Sequence, residues 1–277
     1  MIPMKVVTLV ENTACREDLG HVHGLSLYIE TPKHRILFDT GPNALFLENA
    51  EKLGVDIGAV DIAFLSHGHY DHAGGLELFF KRNAASPVYA HEAAFGDYYA
   101  LSPKGERYIG VDPKLRGNPR FVLCRGKTVI DDELTVFSAL PTRDYLPSSN
   151  GSLREKRDGD YPPDAFRHEQ DLIIAAEGKT VLFGGCAHGG IVNILRAGED
   201  VLGRAPDHVF SGFHLTNPGL GTDEPDALVD AVAGELAARE DTRYYTGHCT
   251  GLGPYARLKA RLGGRMDYMA AGTVFAL

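Results

Sequence analysis

The run Asp61-Ile62-Ala63-Phe64-Leu65, followed at once by Ser66-His67-Gly68-His69-Tyr70-Asp71-His72, constrains this chain more than any other feature. The apolar stretch is short and nearly continuous, the pattern of a strand buried on both faces. Three imidazoles and a carboxylate then fall within six residues of its end. In an extended turn alternate side chains point the same way, so His67 and His69 can share one metal ion. Asp71 and His72 lie beyond them and can reach a second ion nearby. Imidazole with carboxylate suits Zn²⁺, Fe or Mn²⁺. The small residues Gly68, Ala73, Gly74 and Gly75 leave room for close backbone approach. A surface loop that merely happens to be rich in histidine has no reason to sit directly behind a buried strand. The feature predicts a metal-dependent enzyme.

The rest of the chain alternates strands with helices. Lys5 to Val10, Leu25 to Glu30 and Arg35 to Phe38 read as strands, the last ending at the turn signal Asp39-Thr40-Gly41-Pro42. Ala44 to Leu53 and Gly75 to Arg82 carry helical patterns, and Pro87 to Ala90 reads as a strand. Further strands are expected at Leu134 to Ala139, Asp171 to Ala176, Thr180 to Phe183, His208 to Ser211 and Arg243 to Tyr245. Helices are expected at Ile191 to Ala197 and Asp226 to Arg239. This alternation, with antiparallel hairpins mixed in, is that of an α/β protein. Across 277 residues it reads as one domain, with insertions near 92–127 and 141–170. The first insertion mixes Phe95, Tyr98, Tyr99 and Tyr108 with Lys104, Arg107, Lys114 and Arg116; the second carries Arg143, Arg154, Lys156, Arg157 and Arg167.

Composition narrows the partners. A formal net charge of -9 argues against nonspecific nucleic-acid binding, which needs a basic footprint. No apolar run approaches the roughly 20 residues that span a bilayer. Met1 to Val10 lacks signal-peptide anatomy and reads as the first strand, and four cysteines in so long a chain do not suggest a disulfide framework. The expected setting is the cytoplasm, with a small-molecule substrate and no membrane or nucleic-acid partner. No Gly-x-Ser-x-Gly elbow and no phosphate-binding loop are present.

Ser66 to Gly75 resembles the hallmark motif of the metallo-β-lactamase superfamily, and Phe38-Asp39-Thr40-Gly41 resembles that superfamily's early Asp-Thr-Gly turn. Five segments are similar to the subgroup that includes a pterin-processing synthase of methanopterin biosynthesis. They are His23-Gly24-Leu25-Ser26, the His67 motif, Gly185 to Ile194, Gly212-Phe213-His214-Leu215 and Thr246 to Gly251. The resemblance implies an αββα sandwich, two mixed β-sheets face to face with helices outside and the metals at one edge. It implies a dinuclear site with His67, His69 and His188 on one divalent ion and Asp71, His72 and His248 on the other. Asp39 then supports the site from behind, and Asp71 and His214 are the candidate catalytic residues. His214 can bind substrate, donate a proton or cap its strand end; His23 is a similar candidate. The chain departs from the wider pattern in two places. A bridging Asp is missing where it reads Phe183-Gly184-Gly185-Cys186, and a further His is missing where it reads Pro141-Thr142-Arg143-Asp144. His188 stands to replace that His, the bridging Asp, or part of each.

The neighbouring residues divide less cleanly. Cys186 is either a thiolate ligand or a buried thiol, and Cys249 reads as the latter. Asn193 either caps or contacts substrate. His34, His91, His168 and His208 carry no spacing signal and read as ordinary surface or core residues. Three functions fit: a hydrolase of a small, phosphorylated substrate, a transferase joining a pterin methyl diphosphate to an aminobenzene ribosyl phosphate, and a noncatalytic metal or ligand sensor. Aromatic faces and Arg forks on the insertions suit a substrate with a ring and a phosphate.

Overall fold

Successive residues along the strands serve different layers, because side chains alternate across a sheet. Val181 and Phe183 face the opposing sheet while Leu182 between them faces helices, and all three are fully buried. The structure, a computed structural model, describes residues 4–102, 105–138, 140–217 and 219–277. Met1 to Pro3, Lys104 and the expected strand end Ala139 lie outside the described residues.

One seven-stranded mixed sheet runs in the spatial order Val274–Ala276, Lys5–Val10, Ser26–Glu30, Arg35–Phe38, Ile62–Phe64, Val88–His91 and Phe121–Cys124. The other runs Met266–Tyr268, Arg243–Thr246, His208–Phe210, Lys179–Phe183, Asp171–Ala176, Leu134–Phe137 and Thr128–Val129. Between them lies a core that includes Val6, Ile29, Phe38, Val136, Ile174 and Phe183. The helices Leu45–Lys52 and Leu76–Arg82 cover the outside of the first sheet, with Phe46 and Phe79 fully buried. Ile191–Leu202, Asp226–Ala237 and Leu252–Leu262 cover the second. The architecture is an αββα sandwich. Among the described residues, no helix is long and apolar enough to cross a membrane.

Both sheets place their parallel strands side by side, so the carboxyl ends of those strands share one edge. Phe38 pairs in register with Phe64, Phe183 with Phe210, and Phe210 with Tyr245. Their rings stack along each sheet, Phe38 on Phe64 at 5.1 Å in the first and Phe183 on Phe210 at 5.1 Å and Phe210 on Tyr245 at 4.1 Å in the second, and Phe38 meets Phe183 between the sheets at 5.9 Å. The chain segments that leave these strand ends carry Asp39, His67, Cys186, His214 and His248. An apolar floor therefore supports a polar edge.

The insertions are not simple loops. Leu153–Glu155 from the second pairs with Tyr98–Ser102 from the first, which pairs with Gly105–Tyr108, giving a three-stranded sheet. Many of the basic side chains are also engaged within the chain. Arg116 pairs with Asp97, Arg157 and Arg167 with Glu155, and Arg154 donates to the carbonyls of Gly151 and Leu153. The aromatics divide similarly. Tyr98 is buried, whereas Phe166 is only partly covered.

Candidate metal centre

The motif is extended only as far as His69, whose φ of -100° and ψ of 147° are those of a strand. Tyr70–Ala73 then forms a single helical turn, which swings Asp71 and His72 to one side of His67 and His69. The turn of helix separates two groups of ligand-type side chains. Gly185 lets the second sheet's strand end approach, since a β-carbon there would collide with Ser66 Oγ and His67 Nδ1.

The first group is His67, His69 and His188, with ligand atoms all within 4.8 Å of one another. Asp71, His72, Cys186 and His248 form the second group on the same criterion. Asp71 Oδ2 lies 3.4 Å from His248 Nε2, and His72 Nε2 lies 3.2 Å from His248 Nε2 and 3.1 Å from Cys186 Sγ. All seven side chains are buried.

Hydrogen bonds determine which ring nitrogen of each histidine faces inward. Ser66 donates from its backbone N–H to Asp39 Oδ1 at 2.8 Å and from its hydroxyl to Asp39 Oδ2 at 2.7 Å. With its hydrogen committed, Ser66 Oγ accepts from His67 Nδ1 at 2.9 Å. His72 Nδ1 donates to Asp39 Oδ2 at 2.6 Å. Asn150 donates through Nδ2 to the His188 carbonyl, so its Oδ1 accepts from His188 Nδ1 at 3.0 Å. Asn12 does the same for His248, accepting from Nδ1 at 3.0 Å while donating to the His248 carbonyl at 3.2 Å. Four imidazoles therefore keep a proton on Nδ1 and turn Nε2 toward the site. This outer ring of acceptors is the usual means of orienting metal-binding histidines.

The Nε2 atoms of His67, His69 and His188 are buried, and none has a hydrogen-bond partner among the described residues. Burial, reinforced by the neighbouring imidazoles, pushes the pKa of His67 and His188 well down, and burial also lowers His69 and His248. Neutral imidazoles with free lone pairs are what a divalent ion requires. His72 behaves differently. Burial opposes its charge, but Asp39 and Asp71 outweigh burial and raise it to about 9. Burial also opposes charge on Asp71, yet His72, His23 and His248 hold it well below the carboxylate range. The second group thus sits in a negative field, one that suits a cation. Two nitrogens at about 2.0–2.1 Å from a tetrahedral ion stand roughly 3.3 Å apart, close to the 3.2 Å between His72 and His248. The residues fit divalent metal.

The remaining expected residues sort by position. His23 Nε2 lies 3.2 Å from Asp71 Oδ2, its ring centroid is 4.5 Å from that of His248, and about a third of its side chain is exposed. His214 packs its ring 4.2 Å from His188, and its buried Nδ1 has no partner among the described residues. It also joins Cys186 and Cys249 in a third close cluster, so Cys249, read from sequence as an ordinary buried thiol, borders the site. Asn193 is fully buried and does not cap its helix, whose N-cap is Gly190; it ties the helix start to the second insertion, donating to the Gly189 and Asp144 carbonyls and accepting from Thr142 and Asp144. His34 lies apart from the centre, against Asp131 and Asp61.

Several residues went unrecognised. Glu11 accepts from the backbone of His248 at 2.6 Å, and Glu169 accepts from the backbones of His188 and Gly189, both at 2.7 Å. Asn12, Asn150, Asp164 and His168 also belong to the surroundings of the site. One signal was available: Glu11 and Asn12 follow the strand Lys5–Val10 just as Asp39 follows Arg35–Phe38. Asp39, Ala187, His214 and His248 all hold positive φ, at 58°, 53°, 50° and 50°. Strained backbone of this kind collects at functional sites, where surrounding contacts enforce it. A surface hollow of about 410 Å³ beside Leu47, Val55 and Arg82 holds none of these histidines.

Comparison with known proteins agrees with this geometry. The profile of the metallo-beta-lactamase superfamily matches residues 19–248, and the chain belongs to that superfamily. It is 30% identical over 256 residues to an uncharacterized protein of Methanocaldococcus jannaschii, covering 90% of this chain and 92% of that one. It is 29% identical over 273 residues to the 7,8-dihydropterin-6-methyl-4-(beta-D-ribofuranosyl)-aminobenzene-5'-phosphate synthase of the same organism, covering 90% of this chain and 88% of the synthase. Among solved structures it is similar to Tm1679, described as a metal-dependent hydrolase of the β-lactamase superfamily. The TM-score there is 0.83, with 27% identity and 99% of each chain covered.

Proposed function

We propose that this chain is a metal-dependent enzyme that holds two divalent ions and hydrolyses a small, phosphorylated substrate. The observation that carries the reading is the convergence of buried Nε2 atoms from His67, His69 and His188, without partners among the described residues, beside the cluster of Asp71, His72, Cys186 and His248. Bound divalent ions supply Lewis acidity toward a carbonyl or phosphoryl oxygen and an acidified water. A thiolate from Cys186 alongside imidazoles favours Zn²⁺ or Fe over Mn²⁺. In this reading His188 stands in for the missing further histidine and Cys186 for the missing bridging Asp, as their membership of the first and second groups supports.

The chain's own residues supply the rest. Asp71 holds the second group together, receiving His23 at 3.2 Å and His248 at 3.4 Å. His214 lies against the first group with an open Nδ1, suited to hold or pass a proton to substrate. Phe166 stacks on His188 with centroids 4.5 Å apart and planes 5° apart, which supports an aromatic wall over the first group. Arg107 lies over the Tyr70 ring at 4.9 Å and donates to its hydroxyl at 3.2 Å, a cation beside the motif suited to a phosphate. All four cysteines are free, and we place the protein in a reducing cytoplasm.

The transferase is the second reading, favoured by the similarity to the synthase over most of both chains. The test is an assay of metal-replete protein with a phosphorylated aromatic substrate, with and without an amine or aryl acceptor. Acceptor-independent cleavage is the expected outcome. Product that forms only with acceptor, together with released diphosphate, establishes the transferase instead. Tight binding with no turnover in either arm leaves the sensor.

A further inference from the structure

The second insertion ends in His168-Glu169-Gln170, which runs directly into the strand Asp171–Ala176. All three side chains are buried, and they serve opposite sides of the site. Gln170 donates from its backbone N–H to the Ser66 carbonyl at 2.8 Å and through Nε2 to the Leu65 carbonyl at 2.9 Å. His168 Nδ1 accepts from the Gly68 N–H at 3.0 Å. The peptide groups on either side of His67 are thus both held. Glu169, between these two residues, reaches the other sheet's loop. One of its oxygens accepts from the His188 N–H and the other from the Gly189 N–H, both at 2.7 Å. Three consecutive residues therefore join the motif of the first sheet to the histidine loop of the second.

The run is itself braced by both insertions. His168 Nε2 donates to Asp164 Oδ2 at 3.0 Å, and because Nδ1 is an acceptor the ring hydrogen is on Nε2. Tyr98 packs its ring 4.0 Å from that of His168. Asp164 Oδ1 accepts from the Phe166 N–H at 2.7 Å, which supports a residue held at a φ of 50°. His69, Asp164 and His168 form a compact group of ligand-type atoms, but both nitrogens of His168 are already spent. His168 is built as a brace.

The consequence falls on the first group. The His188 ring lies 5.0 Å from that of His67 and 4.9 Å from that of His69. No backbone ladder joins the two sheets that carry them. Apolar packing between sheets is non-directional, whereas hydrogen bonds fix distance and angle. We propose that His168 and Glu169 are positioning residues, a clasp from the second insertion that sets the spacing between the His67–His69 turn and His188. The inference rests on the reading that these three histidines bind metal. It gives the insertion a part in the first ion's affinity without adding a ligand to it.

The probe is Co²⁺ added to metal-free full-length protein, read by visible absorption and by competition with a chelator. Glu169→Gln keeps the size of the side chain but turns N–H hydrogens toward one of the two backbone donors. It is expected to weaken one Co²⁺ site about 10–100-fold, the scale for losing an outer partner. The visible bands of that ion should shift, and the other site should stay as in the wild type. His168→Leu should weaken the same site. His168→Asn, whose Oδ1 can still accept from the Gly68 N–H, should restore most of that affinity. A purely structural role would weaken both sites together or neither. Either result in Glu169→Gln, folded by circular dichroism, overturns the proposal, and this variant decides alone if His168→Leu does not fold. His69→Ala marks the first site and separates the two levels of argument. If it binds both ions as the wild type does, the metal reading itself fails. If it loses a site that Glu169→Gln leaves intact, the clasp alone fails.

Discussion

Replacing His67 and His69 together with alanine is expected to strip at least one ion from the protein and to abolish turnover. Each substitution removes a buried Nε2 that has no partner among the described residues, and both atoms belong to one group. With two of its histidines gone, that group keeps only His188 from among them. Elemental analysis after reconstitution and desalting reads the loss directly. Neither side chain is needed to fill the apolar core, so the sandwich should persist by circular dichroism. His34→Ala is the matched control. His34 faces Asp131 at 2.8 Å and Asp61 at 3.4 Å, apart from both groups, and its removal should leave metal content and activity as they were. Unchanged metal in the double variant would remove the basis of the site.

Asp39→Asn should be nearly as damaging, although Asp39 belongs to neither group. One carboxylate serves both groups: it accepts from His72 Nδ1 directly and from His67 Nδ1 through Ser66. An amide can replace Oδ1 as acceptor for the Ser66 backbone but presents N–H hydrogens where Oδ2 received two donors. His72 and Ser66 must then reorient, and the Nε2 atoms lose their aim. Loss of such an orienting partner typically costs about 10–100-fold in metal affinity, and here both ions should be affected. Chelator competition measures it. Asp39 also holds φ at 58°, a conformation that Asn tolerates as well as Asp does, so the backbone should survive the change. Affinity for both ions at the wild-type level would show that the Asp39 network does not orient the histidines.

The layers were legible in the sequence because their signal is local. Runs such as Arg35–Phe38 and Lys179–Phe183 are buried on both faces and read as continuous apolar stretches, and the motif follows a strand without interruption. What escaped was either weakly patterned or assembled only by topology. The helix Leu252–Leu262 contains Gly253 and Pro254 near its start, which masks its period. The strands of the small sheet are short, and Tyr98–Ser102 is only partly buried, so they read as loops. Asp164 and His168 lie about a hundred residues beyond the motif and carry no ligand spacing; only the pairing of Leu153–Glu155 with Tyr98–Ser102 brings them to His69. The basic residues invited a phosphate-binding reading of both insertions, but several are neutralised by Asp97 and Glu155. Arg107, set against Tyr70, is the one from which the phosphate argument still draws.

The central claim is that this strand-end edge holds two ions. Anomalous diffraction from crystals of the metal-replete protein, collected at the absorption edge of the bound metal, tests it most directly. The account predicts two peaks, one among the Nε2 atoms of His67, His69 and His188 and one among Asp71, His72, Cys186 and His248. A single peak, or density at neither group in crystals with metal elsewhere, would contradict it.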